Sequence, residues 1–155
     1  MAKITVDEIR KLREETGAGI MDVKRALEDV DGDYEKASKF LMAKGFEKAD
    51  KKSERSTAQG QVASYIHHSG KSAAILELLC ETDFVARNDV FKTLSHEILL
   101  QIVSMNPKSA KELLEQGYVR DPQKKISDLL KEAIAKTGEN IKIGRFYLIE
   151  LGKDA

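Results

Sequence analysis

The stretch Ala73-Ala74-Ile75-Leu76-Glu77-Leu78-Leu79-Cys80 decides the fold class. Its alanine, leucine and glutamate favour helix, while its short length and its position favour strand. Just upstream, Gln61 to His67 alternates Val62, Ser64 and Ile66 with Ala63 and Tyr65, and Ser69-Gly70 is a turn signal. A run that follows a strand and a turn completes a hairpin, so 73–80 is read as the second strand.

Downstream, a long helix is predicted from about Asn88, with Phe91, Leu94, Ile98, Ile102 and Met105 on one stripe. Leu99, Leu100 and Val103 widen that stripe, which implies burial on more than one side, and Asn106-Pro107 ends it. Ser109 with Glu112 caps a short helix ending at Gly117, a turn is expected at Asp121-Pro122, and Ile126, Leu129, Leu130, Ala133 and Ile134 define a further helix ending at Gly138. Ile141, Ile143, Arg145, Tyr147, Ile149 and Leu151 then alternate with Lys142, Gly144, Phe146, Leu148 and Glu150, a period-2 pattern for a last strand. The expected architecture of 59–155 is α+β: a three-stranded antiparallel sheet with helices packed on one face, leaving the other face in need of cover.

Upstream of the hairpin the periodicity is helical. Thr5 and Glu8 form a capping box, and the first helix should run to about Thr16 and stop at Gly17. A second helix from near Ile20 turns Val23, Ala26, Leu27 and Val30 inward and ends at Asp31-Gly32. Asp33 caps a third whose Tyr34, Ala37 and Leu41 share a face, with Gly45 as the stop and Phe46 folding back. Residues 1–46 thus read as a three-helix module. The polar stretch 47–58 reads as a linker, or over Glu47 to Ser56 as a solvated helical extension, since it offers no apolar residue larger than alanine before Thr57.

Composition narrows the function classes. Of the 155 residues 34% are charged, yet 26 basic and 26 acidic side chains cancel, so no global field draws the chain to nucleic acid or an anionic membrane. Cys80 is the one cysteine, which excludes an intrachain disulfide and fits a reducing, cytoplasmic setting. Met1-Ala2-Lys3-Ile4-Thr5 lacks the apolar run of a signal peptide, and no stretch approaches the roughly 18 apolar residues of a membrane span.

No catalytic constellation emerges. His67 and His68 are adjacent, so on a strand they would point to opposite faces and share no metal. Cys80 ends an apolar run and reads as a small buried hydrophobe. Gly17-Ala18-Gly19 lacks the preceding strand and the Gly-Lys-Ser/Thr signature of a phosphate loop and reads as an interhelical turn. Met21 is more informative: it projects roughly 160° from the inward stripe at about 100° per residue, and with Ile20 and Lys24 it makes a docking edge. Between the hairpin and the long helix, Cys80 to Asp89 sets Phe84 and Val85 among polar residues. Two readings stand at this point: Thr82 or Asp83 caps a helix that Phe84 staples to the core, or Phe84 is a wedge presented to a partner.

Thr16-Gly17-Ala18-Gly19-Ile20-Met21-Asp22-Val23-Lys24-Arg25-Ala26-Leu27, Thr82-Asp83-Phe84-Val85-Ala86-Arg87-Asn88-Asp89, and Gly138-Glu139-Asn140-Ile141 followed by Arg145-Phe146 resemble the hallmark segments of the elongation factor Ts family. The resemblance spans about 4–152. It implies a first module similar to ubiquitin-associated domains, an antiparallel core, and a non-enzymatic role in protein synthesis as guanine nucleotide exchange factor for elongation factor Tu. By the same resemblance Thr82, Asp83, Phe84 and Val85 would dislodge magnesium from the partner's nucleotide site, while Ile20, Met21 and Lys24 would dock the module. No cofactor of the chain's own is implied.

The chain departs from longer relatives in having one core repeat and no room for their inserted helical hairpin. By resemblance to short members, two copies should pair through their sheets. Tyr147-Leu148-Ile149-Glu150-Leu151 departs from the family's more aromatic ending. Two other classes compete. A helical adaptor or RNA-associated module could use Lys48 to Arg55, but the neutral charge and lack of an aromatic stacking set weigh against nucleic acid. An enzyme would need a nucleophile beside a base, which the sequence does not offer.

Overall fold

The computed structural model describes residues 3–154. Met1 and Ala2, part of the stretch read for a signal peptide, and Ala155, the end of the expected core segment, lie outside the described residues. Helix α1 (Val6–Thr16) opens on the expected capping box: Glu8 donates its N–H to Thr5 Oγ1 at 3.2 Å, and its carboxylate accepts the Thr5 N–H at 2.8 Å. Gly17, at φ 71°, closes α1 in the left-handed conformation. Helix α2 (Ile20–Asp29) and helix α3 (Tyr34–Lys52) follow, the latter capped by Asp33, which accepts the Lys36 N–H at 3.1 Å. Leu12, Val23, Ala26, Leu27, Ala37 and Leu41 make the first core.

Helix α3 does not stop at Gly45 as expected but continues to Lys52, and Ala49 is buried in the second core. The glycine has a packing reason rather than a capping one. A Cβ there would lie 3.1 Å from the Cβ of Ala135, so its absence lets two helices approach closely. Phe46 does not fold back, because the helix runs on past it and leaves no end to cover; the Lys131 ammonium sits 5.8 Å from its ring centroid. Of the two readings of 47–56, a helical extension holds as far as Lys52.

Strand β1 (Gln59–Ile66) and strand β2 (Ser72–Cys80) form the hairpin. Helix α4 (Asp83–Ala86), helix α5 (Asp89–Met105), helix α6 (Ala110–Glu115), strands β3 (Gly117–Tyr118) and β4 (Asp121–Lys125), helix α7 (Ile126–Thr137) and strand β5 (Ile141–Glu150) complete the order. The main sheet is antiparallel in the order β1-β2-β5. Residues 73–80 are therefore its central strand, and pairing on both edges overrides their helical composition. Ala74, Leu76, Leu78 and Cys80 face the core, beside Phe91, Ile98, Ile102, Ile126 and Ile141.

Three expectations change. Asp121 and Pro122 are not the turn: they open β4, Val119 and Arg120 make the turn, and Tyr118 pairs with Asp121. Buried Gln101 fixes this small hairpin, donating to the Gly117 carbonyl at 3.0 Å and accepting the Val119 N–H at 3.0 Å. Met105 belongs to the predicted stripe of α5 but is half exposed at its end. Finally, β5 does not keep one phase, because a bulge lies opposite Glu77, between the pairs Leu76/Phe146 and Leu78/Ile143. Ile141 and Ile143 point to the core before the bulge, whereas Phe146 and Leu148 do so after it, and Tyr147 and Ile149 face outward. Glu77 fills the irregularity, accepting the Arg145 N–H at 3.3 Å and pairing with its guanidinium at 3.2 Å; these bonds hold the Glu77 carboxyl below its ordinary pKa.

Candidate functional site

The segment between β2 and α5 is built around Thr82. Cys80 is fully buried and its thiol donates to the Thr82 carbonyl at 3.1 Å; burial first, with nearby Glu139, raises its pKa, so it is held as the thiol. Glu139 Oε1 accepts the Thr82 N–H at 2.9 Å, and its Oε2 accepts the Thr82 hydroxyl at 2.7 Å. Thr82 Oγ1 accepts the Val85 N–H at 3.4 Å, the N-cap bond of α4. Val85 and Ala86 turn into the core, while Phe84 is 79% exposed. Each sequence reading thus supplies half of the geometry. Thr82 caps a helix as in the first, but Phe84 projects as in the second and staples nothing. Asp83 is exposed and pairs with Arg87 at 3.1 Å.

Glu139 and Asn140 belong to the segment Gly138 to Ile141 but carry no functional signal of their own in the sequence. Asn140 is 2% exposed, and its side-chain amide donates to the carbonyls of Ser53 at 3.3 Å and Arg55 at 2.8 Å. Its backbone N–H donates to Glu81 Oε1 at 2.8 Å, an oxygen also 3.5 Å from the Arg55 guanidinium. The turn after α7 therefore joins the end of α3 to the base of the Phe84 segment. No local periodicity signals such pairing; the one sign was that Glu139 and Asn140 sit between a helix stop and a strand.

Ile20 and Met21, at the start of α2, are 52% and 67% exposed, and Lys24 lies one turn on, 3.9 Å from Glu28. Val23, Ala26 and Leu27 face inward from the same helix. These residues and the Thr82 to Val85 segment lie on separate elements, each packed on its own core. Helix α3 spans the two, burying Leu41 in the first and Ala49 in the second.

His67 and His68 lie beyond the end of β1, and their rings sit side by side with centroids 4.1 Å apart rather than on opposite faces. The chain has left the strand at Ile66, so strand alternation no longer separates them. Among the described residues no group of three or more histidine, cysteine, aspartate or glutamate side chains is arranged to hold a metal, and no helix is long and apolar enough to cross a membrane.

The family model described as elongation factor TS matches residues 81–155, which hold both Thr82 and Glu139. The chain is 36% identical to elongation factor Ts of Thermotoga neapolitana, over 98% of this chain and 99% of that protein. It is 39% identical to that of Thermotoga maritima, over 97% and 98%, and 39% identical to that of Oleidesulfovibrio alaskensis, over 98% and 100%. The first alignment runs over 195 positions against the 155 residues here, so that relative carries residues without a counterpart in this chain. Identity at this level along nearly the whole chain, with the described folding of its segments, establishes that the chain belongs to the elongation factor Ts family.

Proposed function

We propose that this chain is a guanine nucleotide exchange factor for elongation factor Tu, acting in the cytoplasm during protein synthesis. The observation that carries this reading is Phe84: a large apolar side chain, 79% exposed, on a turn whose base is fixed. Residues 1–46 dock on the partner through Ile20, Met21 and Lys24. The segment Thr82, Asp83, Phe84 and Val85 then disturbs its magnesium site, Asp83 and Phe84 from its exposed side and Val85 by anchoring it in the core. Magnesium bridges nucleotide phosphates and orders the segments around them, so moving the elements that hold it weakens nucleotide binding. No bond is made or broken, so the chain is no enzyme. GDP leaves and GTP rebinds.

Burial of Phe84 in the partner supplies about 1.5–3 kcal/mol. Each 1.4 kcal/mol of coupling is worth about a factor of ten in nucleotide affinity. One wedge therefore accounts for roughly one to two decades, and the docking edge and core must supply the rest. Linkage requires nucleotide to weaken the grip of this protein on its partner by the same factor. Release of labelled GDP from elongation factor Tu tests the reading: Phe84→Ala should slow it by about ten- to a hundredfold. A folded Phe84→Ala variant as fast as wild type would overturn the wedge.

Two copies pair through the sheet face opposite the helices, where Val62, Ile66, Ile75, Tyr147 and Ile149 stand exposed. An apolar face of this kind favours burial against another. Sedimentation at micromolar concentration should show a dimer, and a monomer would remove this part of the proposal.

A further inference from the structure

We propose that Glu139 is a positioning residue for exchange, setting the direction in which Phe84 projects. This inference rests on the reading of Phe84 as the wedge. Helix α4 has only the four residues Asp83–Ala86, too few to hold themselves helical, so its orientation must come from outside. On its inner side that support is the burial of Val85 and Ala86. At its start, support comes from Thr82, every polar atom of which is engaged. The N–H and hydroxyl go to the two oxygens of Glu139 at 2.9 and 2.7 Å, and the carbonyl accepts the Cys80 thiol at 3.1 Å and the Ala86 N–H at 3.3 Å. A carboxylate is the side chain that takes two parallel donors at once, and a charged acceptor strengthens both bonds.

Glu139 is itself well held. It follows Gly138, the left-handed cap of α7 at φ 75°, and its N–H reaches Thr137 Oγ1 at 3.4 Å. The next residue, Asn140, is buried and tied to the carbonyls of Ser53 and Arg55 just beyond α3. The carboxylate thus refers the base of the wedge to the end of the helix whose other end packs in the docking module. Phe84 touches the partner; Glu139 acts through it, by fixing Thr82.

The test is GDP release from elongation factor Tu over a range of concentrations of this protein, giving a maximal rate and a half-saturating concentration. Glu139→Ala should lower the maximal rate by about tenfold, the loss expected when a charged hydrogen-bond acceptor is removed, with the half-saturating concentration little changed because Ile20, Met21 and Lys24 are intact. Glu139→Gln keeps one acceptor and should restore part of the rate. Combined with Phe84→Ala, Glu139→Ala should add almost nothing, because a positioning residue has no effect once its target is gone. A wild-type maximal rate for folded Glu139→Ala, with Phe84→Ala slow, overturns this inference and leaves the wedge standing. Fully additive losses overturn it too. A fast Phe84→Ala removes the wedge reading itself, and that single variant tells the two failures apart. Should Glu139→Ala unfold, Glu139→Gln, which keeps one of the two acceptor oxygens, carries the same prediction at smaller size.

Discussion

The docking edge and the wedge both offer exposed apolar side chains, yet they are built in opposite ways. Met21 is 67% exposed because its own helix is amphipathic: Val23, Ala26 and Leu27 turn inward, and the turn of the helix leaves Met21 outside. Phe84 is 79% exposed on a helix of four residues, whose capping residue Thr82 is held by a carboxylate 57 residues further along the chain. One projection is generated by adjacent residues, the other by tertiary contact. Disturbing the first should leave the fold intact, whereas disturbing what holds either unit in place should reach the whole molecule.

The largest effect on stability is therefore expected where the two units meet. Gly17 has φ 71°, and a Cβ there would stand 2.6 Å from Lys136 Cα and 3.0 Å from the Ala135 carbonyl. Both the backbone conformation and the space exclude a side chain, so the α1–α2 turn must move off α7 if one is added. Gly17→Ala should cost about 2–3 kcal/mol in denaturant unfolding. It should also slow exchange, because Met21 and Phe84 would no longer be held at a fixed relation. A loss under about 0.5 kcal/mol would mean that the module does not pack on α7 in solution.

The same contrast explains what the sequence could reveal. The capping box of Thr5 and Glu8, the Asp33 cap, the inward stripe of α2 and the outward Met21 all rest on residues within about one turn of each other, and periodicity finds these. Gly45 misled because a glycine that permits close packing on Ala135 looks in sequence like one that ends a helix. Strict alternation misassigned the faces of β5 because a bulge opposite Glu77 exchanges inward and outward positions, and a bulge is set by the partner strand. Strand alternation separates His67 from His68 only if β1 runs two residues past Ile66, where it ends. At the wedge, the cap and the projecting ring were each legible, in rival readings. The Glu139 clamp was not, since nothing local links the turn after α7 to the end of β2.

A smaller effect is expected on acidification of the docking module. In the docking module, hydrogen bonds from the Thr5 backbone and hydroxyl lower the pKa of Glu8 from 4.5, and the Lys36 backbone N–H lowers that of Asp33 from 3.8. A carboxyl whose folded pKa lies below its unfolded one binds protons less readily in the native state. Its contribution to stability is fully present above the ordinary values of 4.5 and 3.8 and is lost as pH falls from there through the folded values. Carboxyl-detected titration should place both midpoints below those ordinary values, and helicity of the module should decline with them. Midpoints at the ordinary values would show that neither cap is closed in solution.

The smallest change in stability should come from Met21→Asp, and here stability and binding should part. Met21 is the second residue of α2, whose N-cap, Gly19, contributes no side-chain hydrogen bond. A negative charge in the first turn interacts favourably with the free N–H groups there, by about 0.3–1 kcal/mol. Against this stands only the loss of a methionine already 67% exposed. The variant should unfold within about 0.5 kcal/mol of wild type, on either side. Binding to elongation factor Tu should nevertheless weaken by about tenfold or more, because a carboxylate would have to be buried where an apolar chain docks. The maximal rate of GDP release at saturation should stay near that of wild type, since Phe84 and its support are untouched. A stability loss above about 1 kcal/mol would place the side chain in the core and end the claim that local periodicity alone sets the docking edge.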